Sequence, residues 1–271
     1  MLLCSLLITG CGDGSDSSTA SSDSGSDAEG SASGAGDAIT LDESIKPMYS
    51  LEGAEAGLKG CLNRGLYVNG PHTISIKSYK SSIQPYWDTS SDDTNTYEYR
   101  HDVIEVSDSG EAQVDVTTTL TSSLGNSSTT FVSPYALEGY QLRVVGQSRA
   151  TPNPNAYVRH FDLEEGESIP QTINAGSDAV PIYYTYIDTY VGREDVGTGI
   201  NTLKACRVDT LVTQETDQPE FRRRSLISNW YAVGTGLNIK TESVFYPDSE
   251  QDELLESRHM TSAEINGVKI F

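Results

Sequence analysis

Apolar and polar positions alternate strictly along residues 111–122. Ala112, Val114, Val116, Thr118 and Leu120 fall on one side, and Glu111, Gln113, Asp115, Thr117 and Thr119 on the other. A period of two is the mark of a strand with one face buried. It predicts Val114, Val116 and Leu120 in a core, with Asp115, Thr117 and Thr119 toward solvent. Residues 96–106 read the same way, with Tyr97, Tyr99, His101 and Val103 sharing a face. Asp108-Ser109-Gly110 between the two is a turn signal, so the pair is expected to form a hairpin. Further strands are predicted at 128–133, 140–145 and 157–161. Beyond them follow 182–191, 203–213 (Cys206, Val208 and Val212 on one face), 223–233, 237–244 and 256–265. Gly197-Thr198-Gly199 reads as a turn and residues 248–253 as an acidic loop. Residues 50–62 could hold one short helix, against which Gly53, Gly57 and Gly60 count. The expected class is all-β: antiparallel sheet built from two successive meanders within residues 65–271.

The halves carry signs of an internal duplication, about 65–160 and 161–271. Residues 131–145 match residues 226–241: Ser133 with Ser228, Tyr135-Ala136-Leu137 with Tyr231-Ala232-Val233, Gly139 with Gly236, and Leu142-Arg143 with Ile239-Lys240. Tyr99 pairs with Tyr186 and Gly110 with Gly199. The strand at 182–191 carries Tyr183, Tyr184, Tyr186 and Tyr190 on both faces. It is expected to be central and packed on both sides. The alternative is an aromatic wall for a sugar or apolar ligand.

The start of the chain has a different logic. Leu2 to Thr9 is apolar but far short of the roughly 20 residues that span a bilayer, and it fits the apolar region of an export signal. Ile8-Thr9-Gly10-Cys11 resembles the lipobox of bacterial lipoproteins. The resemblance implies cleavage before Cys11, a diacylglycerol thioether on its sulfur and acylation of the new N-terminus. It also implies that residues 1–10, Cys4 included, are lost. Gly12 after the cysteine implies, by the sorting rule of enteric lipoproteins, the outer membrane. No Lys or Arg precedes the apolar run; the basic residues of such a signal are expected upstream of Met1.

Residues 12–40 are almost wholly Gly, Ser, Ala, Asp and Thr, with Ile39 the only large aliphatic residue. Such a stretch cannot bury enough apolar surface to offset its ordering entropy and is expected to stay disordered. As a flexible coil it reaches roughly 30 Å, a tether between a lipidated Cys11 and a domain over 41–271. "DGSDSS" lacks the glutamate a calcium loop needs at its twelfth position, where Ser24 stands. "NWYAVGTGLNIKTE" (229–242) resembles a W-Y-x-x-G-x-G-L-x-x-K segment near the C-terminal end of uncharacterised periplasmic and lipoprotein β-domains. That likeness implies an antiparallel β fold and no defined activity.

Charge and chemistry narrow the function further. The 271 residues carry a net charge of −21. The eight acids between 13 and 43 leave about −13 for the rest. So acidic a surface repels phosphates, which argues against nucleic acid as a partner and against unassisted binding to anionic lipid. Cys61 and Cys206 remain after processing, and export to an oxidising compartment predicts a disulfide between them. His72, His101, His160 and His259 fall in different segments without metal-ligand spacing. No nucleophile elbow, Walker loop or dinucleotide fingerprint is present. Neither a catalytic set, a metal site nor a cofactor is therefore assigned. Carboxylate pairs mean little among 39 acids. The candidate binding surface is Tyr184, Tyr186, Tyr190 and Trp230. Arg222-Arg223-Arg224 is the only basic cluster, expected to border a loop, with docking of an acidic partner as the alternative. Two functions stay open: a non-enzymatic, lipid-anchored domain that binds a ligand or partner, and an anchored hydrolase of envelope polymers or sugars.

Overall fold

The computed structural model describes residues 54–83, 93–122, 128–145, 156–175, 182–197, 202–216, 223–246 and 254–270. The proposed signal, Cys11 and the tether lie outside these residues, as do Gly199 and the acidic loop at 248–253.

The fold is all-β and antiparallel. The first meander comprises β1 (His72–Ile83), β2 (Asp93–Val106), β3 (Ala112–Ser122), β4 (Ser128–Glu138), β5 (Gln141–Val144) and β6 (Val158–His160). The second comprises β7 (Ser168–Asn174), β8 (Ile182–Gly197), β9 (Thr202–Thr216), β10 (Arg223–Ala232), β11 (Asn238–Tyr246) and β12 (Leu254–Ile265); a short β13 (Val268–Lys269) folds back on β12. Strands β1 and β12 pair, so the sheet runs β6-β5-β4-β3-β2-β1-β12-β11-β10-β9-β8-β7. It curls into a nearly closed barrel with β6 and β7 at its two edges. The matched segments at 131–145 and 226–241 cover the fourth and fifth strands of their respective meanders.

Alternation in β3 predicts its burial. Val114 and Val116 are fully buried, and Asp115, Thr117 and Thr119 sit on the other, partly exposed face. Gly110 turns the β2–β3 hairpin at φ 80°, a left-handed backbone that glycine adopts without steric cost. The expected helix at 50–62 is instead a 3₁₀ turn over Gly57–Cys61, followed by a single helical turn, α1, at Gly65–Val68. The expectation that the 182–191 strand is central is also corrected. β8 is second from an edge, and its burial alternates: Tyr186, Asp188 and Tyr190 are buried, whereas Tyr183 and Val191 are exposed. Tyrosine tolerates a wet face and an apolar one alike, so a Tyr-rich strand reads as two-sided when it is not.

One barrel end is packed shut. Leu58, Cys61 and Leu66 from the N-terminal turns are buried there. Around them lie Tyr190, Cys206, Val208 and Tyr231 on one side, and Ile74, Ile239, Met260 and Ile265 on another. Cys61 and Cys206 are joined by a disulfide with Cα atoms 6.1 Å apart. The β10–β11 corner docks on the same turn: Gly234 N–H donates to Gly60 O at 2.9 Å. Gly236 has φ +67°, and a Cβ there would stand 2.7 Å from the backbone nitrogen of Asn63. Gly236→Ala should therefore cost about 1–2 kcal/mol for the left-handed backbone alone, plus the clash. The thermal midpoint is expected to fall by roughly 5 °C or more; an unchanged melt would refute this docking.

Candidate functional site

Strand parity sends one set of side chains into the barrel. Toward the packed end these are Val114, Val116, Leu137, Cys206 and Val208. Burial falls along each strand toward the opposite end. In β3 the inward series runs from buried Ala112, Val114, Val116 and Thr118 to part-exposed Leu120. In β4 it runs from Leu137, Tyr135 and Ser133 to Phe131, which is 37% exposed. In β9 it runs from Cys206, Val208 and Thr210 to part-exposed Val212 and Gln214. The chemistry changes along the same axis, from aliphatic to Tyr, Thr, Ser, Asn and Arg. This more open half is the end at which β1–β2, β3–β4, β9–β10 and β11–β12 are joined through residues outside the described set.

The seam between β6 and β7 is held by side chains. Gln171 on β7 accepts from Val158 N–H at 2.9 Å, and its amide donates to Val158 O. One side chain thus stands in for a rung of ladder. Beside it lies a buried polar chain. Arg159 donates through Nη2 to the Tyr157 hydroxyl at 2.9 Å, Tyr157 donates to Asp188 Oδ2, and Thr210 donates to Asp188 Oδ1 at 2.5 Å. Asp188 is 1% and Arg159 8% exposed. Burial, above all, raises the Tyr157 pKa and keeps it a donor. Burial opposes the Arg159 charge, but Tyr157 and Asp188 outweigh it and hold that pKa above its ordinary value. Arg159 also lies over the rings of Tyr157 and Tyr231, 5.4 and 5.5 Å from their centroids. Arg159, Tyr157, Asp188 and Thr210 thus bond to one another across the closure.

The four sequence candidates do not form one surface. Tyr184 and Tyr186 face inward with ring centroids 6.3 Å apart, and neither hydroxyl has a hydrogen-bond partner among the described residues. Burial, chiefly, lifts the Tyr186 pKa to about 12. Tyr190 belongs to the packed core around the disulfide. Trp230 points to the face opposite Tyr231, where Arg207 and Lys240 lie over its ring at 5.3 and 4.4 Å and its Nε1–H donates to Glu194. Of the Arg222–Arg224 cluster, only Arg224 has a described side chain, and it lies 6.0 Å from the Tyr246 ring centroid. Sequence reasoning misses Tyr157, Arg159, Gln171, Asp188 and Thr210. A signal exists for two of them: Asp188 and Arg159 each occupy an inward position between aromatic neighbours of the same parity.

His101 is buried against α1, with Nδ1 3.3 Å from Leu66 O. Desolvation, above all, lowers its pKa to about 4. A histidine whose folded pKa lies below its unfolded value of about 6.5 stabilises the fold above that value. The contribution is lost as the pH falls. Thermal stability is expected to drop between about pH 6.5 and 4, and His101→Gln should flatten that slope; an unchanged slope would contradict the assignment. Among the described residues, no group of three or more His, Cys, Asp or Glu is placed to hold a metal ion.

No family model and no curated protein matches the chain. Three solved structures are similar to it. A protein assigned as a lipoprotein from Parabacteroides distasonis is 9% identical, with a TM-score of 0.45 over 73% of this chain and 97% of its own. A protein from Bacteroides fragilis, assigned as exported and having a YmcC-like fold, is 14% identical, with a TM-score of 0.43 over 72% and 96%. The hypothetical lipoprotein YmcC from Escherichia coli K12 is 9% identical, with a TM-score of 0.29 over 72% and 92%.

Proposed function

We propose that this chain is a lipid-anchored protein of the bacterial cell envelope, held by Cys11, whose barrel binds a small organic ligand in the more open half of its interior. The observation that carries the binding reading is the coupled gradient along the barrel axis. One end is aliphatic and shut by a disulfide-bonded turn. The other carries aromatic and hydroxyl side chains whose polar atoms are not all used within the fold. Ligand sites are typically concave, largely apolar and aromatic, with a few orienting polar groups. The Ile8-Thr9-Gly10-Cys11 segment and the Gly/Ser/Asp-rich stretch after it support the anchor, and Gly12 supports sorting to the outer membrane. A domain displayed on such a tether needs no catalytic apparatus to capture a molecule diffusing past.

Two experiments test the two parts. Cys11→Ala should move the protein from membrane to soluble fractions. Full membrane retention, with no acyl mass on residue 11, would refute the anchor. Full-length Cys11→Ala protein should bind the neutral probe N-phenyl-1-naphthylamine at one site. Leu120→Trp, which narrows the open half at a part-exposed position, should weaken that binding at least about tenfold while the melt is kept; affinity unaffected by Leu120→Trp would place binding elsewhere.

A further inference from the structure

Inside the more open half, one cation has no counter-charge among the described residues. Arg258 on β12 faces inward, beside Thr241 of β11 and across from Lys80 of β1 in register. Its guanidinium carbon lies 4.8 Å from the centroid of the Tyr97 ring, and Tyr97 stacks on Tyr99 with centroids 6.0 Å apart and planes within 10°. The Nε of Arg258 is buried and has no hydrogen-bond partner. Glu256 shares its face, yet among the described residues no carboxylate forms an ion pair with Arg258. Ser78 occupies the diagonal position on β1, in register with Met260, and is 2% exposed with a hydroxyl that also lacks a partner. Diagonal neighbours on one face stand about 7–8 Å apart, within reach of one small group. Among the described side chains, a second inward arginine, Arg159, is committed to Tyr157 and the buried Asp188 chain.

A guanidinium offers five donors in a planar fork and accepts nothing. Left unpaired in a half-buried site, such donors are costly. A planar oxyanion satisfies them, because its two oxygens match the fork. The parallel faces of Tyr97 and Tyr99 suit a flat body beside the charge.

We infer that Arg258 is the receptor for the carboxylate of a small planar carboxylic acid, with Ser78 as a second donor and the Tyr97–Tyr99 faces as the wall against which its body lies. This inference rests on the reading that the barrel interior binds a ligand, and it names the ligand class. The test compares 2-naphthoic acid with its neutral isostere, 2-naphthamide, by calorimetry on full-length Cys11→Ala protein. The acid should bind at least about tenfold tighter, the scale of hydrogen bonds to a charged group. Arg258→Met should erase that preference by weakening the acid far more than the amide. Should Arg258→Met fail to fold, Arg258→Lys, which keeps the charge and loses the fork, should still weaken the acid selectively. Equal affinity of acid and amide, or a preference that survives in a folded Arg258→Met, overturns the assignment but leaves interior binding standing. Absence of binding by either compound overturns both.

Discussion

Asp188→Ala is expected to lower the thermal midpoint by roughly 10 °C. Asp188 is the carboxylate on which the buried seam converges: it accepts from Tyr157 and Thr210, and Tyr157 in turn accepts from Arg159. Removing it leaves a guanidinium buried without a counter-charge, a change that costs about 3–5 kcal/mol. At roughly 2–4 °C per kcal/mol for a domain of this size, the shift is large and easily read by differential scanning calorimetry. The same physics predicts an asymmetry. Asp188→Leu combined with Arg159→Met removes both charges together and should recover most of the loss, since a buried ion pair is often no better than apolar packing. A double variant as unstable as Asp188→Ala would show that the network's individual hydrogen bonds, and not charge balance, hold β6 against β8.

The second large effect concerns the disulfide. Cys61→Ser with Cys206→Ser opens a bridge across 145 positions of sequence. The chain-entropy account gives about 5 kcal/mol for a loop of that length, and removal of native bridges typically costs about 2–5 kcal/mol. The loss should also be local. Leu58 and Cys61 sit in one core cluster with Tyr190, Phe161 and Tyr231, so hydrogen exchange should accelerate first in Gly57–Cys61 and at the β10–β11 corner that hydrogen-bonds Gly60. Unchanged protection there, with a melt within about 1 °C of the native protein, would mean that packing alone seats the turn.

Much of this architecture is legible in the sequence, and the exceptions have physical causes. Strict alternation marks β3: of the three residues it places in the core, Val114 and Val116 are buried, while Leu120, nearer the open end, is part-exposed. The Gly110 turn, the β2–β3 hairpin, the two-meander order and the pairing of Cys61 with Cys206 likewise follow from residue pattern and cysteine count. β1 gives no clear strand signal. Ile74 and Ile76 keep its period only until the register shifts between Lys77 and Ser78 against β12, and polar residues follow. β7 is hidden because Ser168, Pro170 and Gln171 give it little apolar signal, and its role depends on an edge position that sequence does not show. Tyr184 and Tyr186 share an inward face. Tyr190 shares that face but lies deeper, in the packed core, and Trp230 is buried on the opposite face of β10. The seam residues escape because a charged residue in an alternating strand is read as outward. Asp188 and Arg159 occupy inward positions, tolerable only because each meets the other's partner across a barrel closure that brings β6 to β8.

The claim that most needs a direct answer is that ligand enters the more open half of the barrel. Ring-labelled tyrosine NMR of full-length Cys11→Ala protein, titrated with 2-naphthoic acid, reads that position. The account predicts saturable shifts in the rings of Tyr97, Tyr99 and Tyr186, which face inward, and none in Tyr183, which is 43% exposed on the opposite face of β8. Shifts confined to Tyr183, or an unchanged spectrum at saturating acid, would contradict it.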